Sequence, residues 1–134
     1  MTLSVKIIAP DRTVWATEAE EVILPSSTGQ VGILTGHAPL VSSLDTGVLR
    51  VRTSGKWVAL AIMGGFVEVG NNALNILVIA AEQGSTIDKD KAQSDYDSSI
   101  LLSEKAQTPK DILQTRKNVE KARARLQAAV FSST

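Results

Sequence analysis

The sequence predicts a mostly β N-terminal sandwich of about ten short strands, followed by a C-terminal antiparallel two-helix hairpin. Three observations predict it. From Leu3 to about Ala81 apolar residues alternate in short runs, as in half-buried strands. Turn signals separate those runs at the roughly 8–12-residue intervals of sandwiches and barrels. After Gly84 the spacing of apolar residues changes to that of helices.

Leu3, Val5 and Ile7 alternate and open the first strand, and Val22-Ile23-Leu24 forms a short buried run. Gly29 to Pro39 reads as turn, short strand, turn, with Val31, Ile33 and Leu34 between glycines and a proline that cannot donate to a ladder. Asp45-Thr-Gly47 reads as a turn before the alternating Val48–Arg52. Thr53-Ser-Gly55 predicts a hairpin into Lys56–Ile62, and Gly70-Asn-Asn72 predicts another between Phe66–Val69 and Leu74–Ile79. Gly64-Gly65 inside strand-like sequence suggests a bulge or a close backbone approach. The sandwich is therefore assigned to residues 1–84 and the hairpin to 85–134.

The first helix is expected from Asp88 to about Lys105, with Ala92, Tyr96 and Ile100 four apart and Leu101 beside them. Thr108 suits an N-cap, Pro109 the first helical position, and Asp111 stands where a capping box places an acid. The second helix should run from Pro109 to about Val130, with Ile112, Thr115, Val119, Ala122, Leu126 and Ala129 inward. The short connection predicts antiparallel packing. Such small side chains offset only a few kcal/mol at roughly 25 cal/mol per Å2. Ordering the backbone costs about 1–2 kcal/mol per residue. The hairpin is thus the least firmly held part of the chain.

With 134 residues, 43% of them hydrophobic, one compact domain with an appendage can bury a core. Absence of cysteine excludes disulfides and thiolate metal sites. Trp57–Val67 is the longest uncharged apolar run and falls far short of the roughly 20 residues of a membrane helix, so membrane association is expected only through a partner. Net charge is zero, yet unevenly spread: Met1–Ile87 and Asp88–Gln107 are each −2, and the remainder is +4. That last segment suits an acidic protein partner; nucleic acid is disfavoured because no stacking aromatics accompany the bases.

His37 has no second histidine, cysteine or Ser-Asp constellation near it in sequence, so neither catalysis nor a metal site is expected. Gly29-x-x-Gly32 leads into a strand rather than a helix bearing Lys-Ser/Thr, which excludes a phosphate loop, and no βαβ unit supports a dinucleotide site.

Leu24-Pro25, Gly29–Pro39, Thr46-Gly-Val48, Gly64-Gly-Phe66 and a tail beginning Ile87-Asp88 occur together and in order. In these blocks the chain resembles the ε-subunit family of F-type ATP synthases over almost its whole length. Met63-Gly-Gly-Phe66 and Gly70-Asn-Asn72 resemble the cyanobacterial and chloroplast branch. The resemblance implies a non-catalytic rotor subunit, peripheral on the thylakoid membrane at its cytoplasmic or stromal side. Its sandwich would join the γ subunit to the c-ring, with Gln30 and His37 at that interface; Gln30 stands where the family has Glu, which removes a charge. Its hairpin would inhibit ATP hydrolysis, extending along γ so that Arg116, Lys117, Lys121, Arg123 and Arg125 meet an acidic segment of the β subunit. At 1.5 Å per residue, the second helix would span about 33 Å and both together roughly 60 Å.

Some bacterial relatives bind ATP between the helices through Ile/Leu-Asp-x-x-Arg-Ala and two arginines. The matching residues here include Asp88, Lys91 and Arg125, with Lys91 in place of an arginine and Lys121 in place of another. Lysine lacks the planar fork that grips phosphate, so ATP binding is expected to be weak or absent, and no cofactor is expected. The rival reading is an independent β-sandwich binding module; a small hydrolase built on His37 is a distant third.

Overall fold

The structure is a computed structural model and describes residues 2–133. Its strands are β1 (Leu3–Ala9), β2 (Arg12–Ala19), β3 (Glu21–Ser26), β4 (Gly29–Leu34), β5 (Leu40–Thr53), β6 (Lys56–Gly70), β7 (Ala73–Val78) and β8 (Ala81–Gln83). A 3-10 turn at Gly84–Thr86 leads to α1 (Lys89–Lys105) and α2 (Pro109–Ser132). The strands hydrogen-bond in the order β2-β1-β7-β6-β5-β3-β4, with β8 also paired to β6. All pairs are antiparallel except β1–β7.

Eight strands appear among the described residues, rather than about ten. The expected turn at Asp45-Thr-Gly47 lies inside a long strand, whereas Gly64-Gly65 is the close backbone approach within a strand that its residues suggest. Asp45-Thr-Gly47 is the middle of β5, and Gly64-Gly65 is the middle of β6. The two strands pair without slippage from Thr53↔Lys56 to Leu40↔Val69, missing only the Asp45–Gly64 step. Residues two apart on a regular strand share a face. Leu60 and Ile62 nevertheless enter the same core as Val67 and Val69, as Leu44 does with Leu49 and Val51. Both strands therefore reverse their inner face at this step, and so carry the sheet around a corner into the second layer.

The tight turns follow their residues. Ser54 and Gly55 both have positive φ, as do Asn71 and Asn72, the pattern of two-residue hairpin turns that match strand twist. The sandwich core is aliphatic and holds the fully buried Leu3, Ile7, Leu24, Ile33, Leu49 and Leu60.

Both helices start as expected. Asp88 accepts a hydrogen bond from the Lys91 N–H at 3.1 Å, and Thr108 accepts one from the Asp111 N–H at 3.1 Å. The hairpin packs on the outer face of β5 and β6, where Ala59 and Ala61 form a second, smaller core with Ile87, Ala92, Ala124, Ala128 and Ala129. The inward face of α2 is thus broader than its periodicity implied, and Ala124 and Ala128 belong to it. Leu101 and Ile112, expected inside, are 57% and 43% exposed near the hairpin's tip, beyond the reach of the sandwich. No helix among the described residues is long and apolar enough to cross a membrane.

Candidate interaction surfaces and the hairpin seam

The seam between hairpin and sandwich is rich in alanines, which let the backbones approach closely. On β6, Leu60 and Ile62 face the sandwich core, so alternation turns Ala59 and Ala61 outward onto α2. The closest approach is at Gly84, where a Cβ would overlap the Ala128 carbonyl oxygen and the Ser132 hydroxyl.

One charged cluster spans this seam. β8 pairs Glu82 with Ala61. The Glu82 carboxylate accepts from Arg125 Nε at 2.6 Å and from Nη2 at 3.4 Å. Asp95 of α1 lies 3.7 Å from Arg125 Nη1 and 3.0 Å from Lys91 Nζ. Arg125 thereby ties β8, α1 and α2 together. Its pKa is raised, first by the hydrogen bond to Glu82 and then by the charges of Glu82 and Asp95, against the opposing effect of burial. A raised cationic pKa stabilises the folded state wherever the unfolded group is also charged, and the benefit is lost only as pH rises through the folded value. Arginine titrates far above neutrality, so this contribution is constant across the physiological range.

Arg125→Ala should therefore loosen the seam by about 1–2 kcal/mol, the size of a charge-assisted contact that is partly open to solvent. The check is amide exchange in α2. It should rise on substitution, and added salt should accelerate it in the wild type more than in the variant.

The expected site residues fall into separate places. Gln30 is the second residue of β4 and His37 lies just past its far end, so they stand at opposite ends of one strand. His37 Nδ1–H donates to the Ala38 carbonyl oxygen at 2.6 Å, and its backbone N–H donates to Leu34. No group of three metal-ligating side chains exists among the described residues. Lys117, Lys121 and Arg123 line a groove of about 840 Å3 whose opposite wall includes Asp45, Met63 and Ile79. Arg116 instead borders a crevice with Ser103 and Val119. Asp88, Lys91 and Arg125, the residues matched to a nucleotide site, are all engaged within the chain: Asp88 caps α1, and the two cations share Asp95.

Several features were not legible beforehand. Phe66 and Leu77 are paired neighbours on β6 and β7 and are 40% and 47% exposed. Ile79, just past β7, and Val41, on β5, are more exposed still. They make an apolar patch on the sheet of the kind that marks a protein interface. Arg50 stacks on Phe131 of α2 at 5.1 Å and on Trp57 at 6.0 Å, joining the last turn of the hairpin to the sandwich. The alternating pattern around Phe66 and Leu77 was the one available signal, because both fall on the polar phase.

Residues 2–84 match the family model described as ATP synthase, Delta/Epsilon chain, beta-sandwich domain. The chain is 53% identical to the chloroplastic ATP synthase epsilon chain of Porphyra purpurea over 99% of both sequences. It is 50% identical to the ATP synthase epsilon chain of Trichodesmium erythraeum over 96% of both. In fold it is similar to a chain of the Euglena gracilis mitochondrial ATP synthase in a cryo-EM structure of OSCP/F1/c-ring, with a TM-score of 0.84 at 22% identity, covering 96% of this chain and 81% of that one. A chain of the Tetrahymena thermophila mitochondrial ATP synthase central stalk/c-ring is more distant, with a TM-score of 0.62 at 16% identity and 96% of both chains covered. The sandwich, the hairpin and these full-length likenesses agree: the chain belongs to the ATP synthase epsilon-chain family, whose members are subunits of that complex and not its catalytic chains.

Proposed function

We propose that this chain is the central-stalk subunit that links γ to the c-ring and restrains ATP hydrolysis through its C-terminal helices. Residues 1–84 act as the anchor and 85–134 as the brake. The observation that carries the second half is the seam. A hairpin of 41 helical residues is held to the sandwich chiefly by a small alanine-rich core that Ile87, Val48, Met63 and Leu126 complete, with an arginine cluster and a ring contact beside it. Burying so little area leaves docked and released hairpins close in free energy, which a switch requires. Release would free Lys117, Lys121 and Arg123 from the groove and Arg125 from Glu82, presenting them with Arg116 to the β subunit. The exposed patch at Phe66 and Leu77, with Gln30 and His37, supplies the anchoring side for γ and the c-ring. The chloroplastic and cyanobacterial relatives support a thylakoid-associated complex, with this subunit on the cytoplasmic or stromal side.

The test is ATP hydrolysis by a catalytic head containing γ, alone, with the full chain, and with a chain ending at Ile87. Inhibition by the full chain and binding without inhibition by the shortened one would support anchor and brake. Equal inhibition by both would move the brake into the sandwich. Failure of both to bind would favour an independent binding module.

ATP is not expected to regulate the hairpin here. Arg125 already has two carboxylates, and Lys91 offers a point charge rather than a fork. Millimolar ATP should leave hairpin amide exchange unchanged; protection of α1 and α2 by ATP would contradict this.

A further inference from the structure

The two outer strands of the sheet order are β2 and β4, and they are defended very differently. An edge strand exposes a row of unpaired N–H and C=O groups, and proteins blunt it with charges, bulges or cover. β2 has all three. Its ladder with β1 is broken by a register shift at Ile7/Ile8, it carries Arg12 and Glu18, and Thr53 donates to the Glu18 carbonyl at 2.7 Å. β4 has no bulge and no charged residue, and only Gln30 near its start lines a pocket shared with Leu126 and Val130 of α2. It pairs with β3 in unbroken register from Ser26↔Gly29 to Glu21↔Leu34. The segment Val22–Leu44 contains no Asp, Glu, Lys or Arg, although 21% of the whole chain is charged, so about five would be expected there. Leu34 is 53% exposed, and nothing lies within 4 Å of where a Cβ would stand on Gly29, Gly32 or Gly36.

We propose that in the assembled complex the free edge of β4 is completed by an extended, uncharged segment of γ, which joins the sheet as a further strand. This rests on the reading above that the sandwich docks on γ. A strand paired on one side turns every second residue's N–H and C=O outward, so about half of β4's six residues offer both a donor and an acceptor. Main-chain bonds of this kind recognise any extended backbone, while the side chains beside them set what is accepted. A charged strand would lay unpaired charge against Leu34 and three open glycines; an uncharged one would not. Gln30 and His37 stand at the two ends of this edge, so it is continuous with the interface assigned to them. Backbone bonds exchanged with water contribute little net free energy, about 0.5–1.5 kcal/mol each. Edge pairing alone is therefore too weak to join two copies of this chain. A partner also held at the apolar patch of Phe66 and Leu77 has the additional area.

The deciding experiment is residue-resolved amide hydrogen exchange on the full chain, alone and bound to a catalytic head containing γ but no c-ring. Alone, alternate amides of Gln30–Leu34 should exchange fast; in the complex those amides should slow at least tenfold, and the alternation should vanish. That outcome supports strand addition. A complex that forms with β4 exchange unchanged overturns the proposal while leaving the γ-docking reading intact. Protection that needs the c-ring, or that grows with chain concentration in the absence of γ, assigns the edge to another occupant and also overturns it. Failure to form any complex counts against the docking reading, and the proposal falls with it.

Discussion

Replacing Gly65 by alanine is expected to cost the sandwich roughly 3 kcal/mol or more, the largest single-site loss the fold offers outside its core. A Cβ at this position would overlap the Leu77 carbonyl oxygen and crowd the Val78 Cα. Both are backbone atoms of β7, paired with this step of β6, so neither can rotate aside. Relief requires β7 to move, and β7 is also held by β1 through the parallel ladder. Overpacking by one methyl typically costs about 1–3 kcal/mol where side chains can adjust; here they cannot. Gly32 is the control. Nothing stands within 4 Å of its missing Cβ and its φ is not positive, so Gly32→Ala should be neutral or slightly stabilising. Thermal melts of the two variants decide the matter. Gly65→Ala should melt at least 10 °C lower, on the usual scale of about 4–8 °C per kcal/mol for a domain of this size. Equal melting temperatures would mean that the β6 corner yields far more than its packing implies.

That corner also shows where sequence reading reached its limit. Period-two alternation in β1 and in Val48–Arg52 of β5, with turn signals between short apolar runs, was enough to predict the sandwich. The helical spacing from Asp88 and the cap at Thr108 placed both helices closely. The strand count came out high because Asp45-Thr-Gly47 has the residues of a turn, while Gly64-Gly65 is legible as the close backbone approach that it is. In the structure they lie opposite one another within a continuous ladder. Turn residues mark where backbone conformation departs from the regular strand, and a bend departs from it as a turn does. The parallel pairing of β1 with β7 has no local signal, since it joins residues some seventy positions apart. The seam was hidden for a different reason. Ala59, Ala61, Ala124 and Ala128 are neutral to any hydropathy pattern, and only proximity makes them a face. The Glu82–Arg125 pair crosses 43 positions, so the sequence places Arg125 only among the basic residues suited to an acidic partner, whereas the docked hairpin commits it to its own chain. Gln30 and His37 were legible only through the resemblance, and the structure holds them at opposite ends of β4.

Gly84→Ala should do to the hairpin what Gly65→Ala does to the sandwich, and its effect should reach function. The added Cβ meets the Ala128 carbonyl oxygen and the Ser132 hydroxyl. The hydroxyl can rotate, but the carbonyl belongs to the α2 backbone, so relief comes by lifting α2 off the 3-10 turn. At about 1–3 kcal/mol, the docked-to-released ratio would fall roughly 5- to 150-fold. The sandwich should barely notice, because Gly84 follows β8 and its side-chain space opens toward the helix. Amide exchange therefore separates the two effects: α2 amides should exchange faster, while β1 and β7 amides keep their rates. If the released hairpin is the brake, Gly84→Ala should also inhibit ATP hydrolysis by a γ-containing head at lower concentration than the wild type. Faster exchange without stronger inhibition would show that the hairpin leaves its seat but does not act as the brake. Unchanged exchange would mean that the seam has slack that its packing does not show. Arg125→Ala acts on the same equilibrium through charge, and a salt-sensitive effect there beside a salt-insensitive one at Gly84 would divide the seam's hold between ion pairing and close backbone contact.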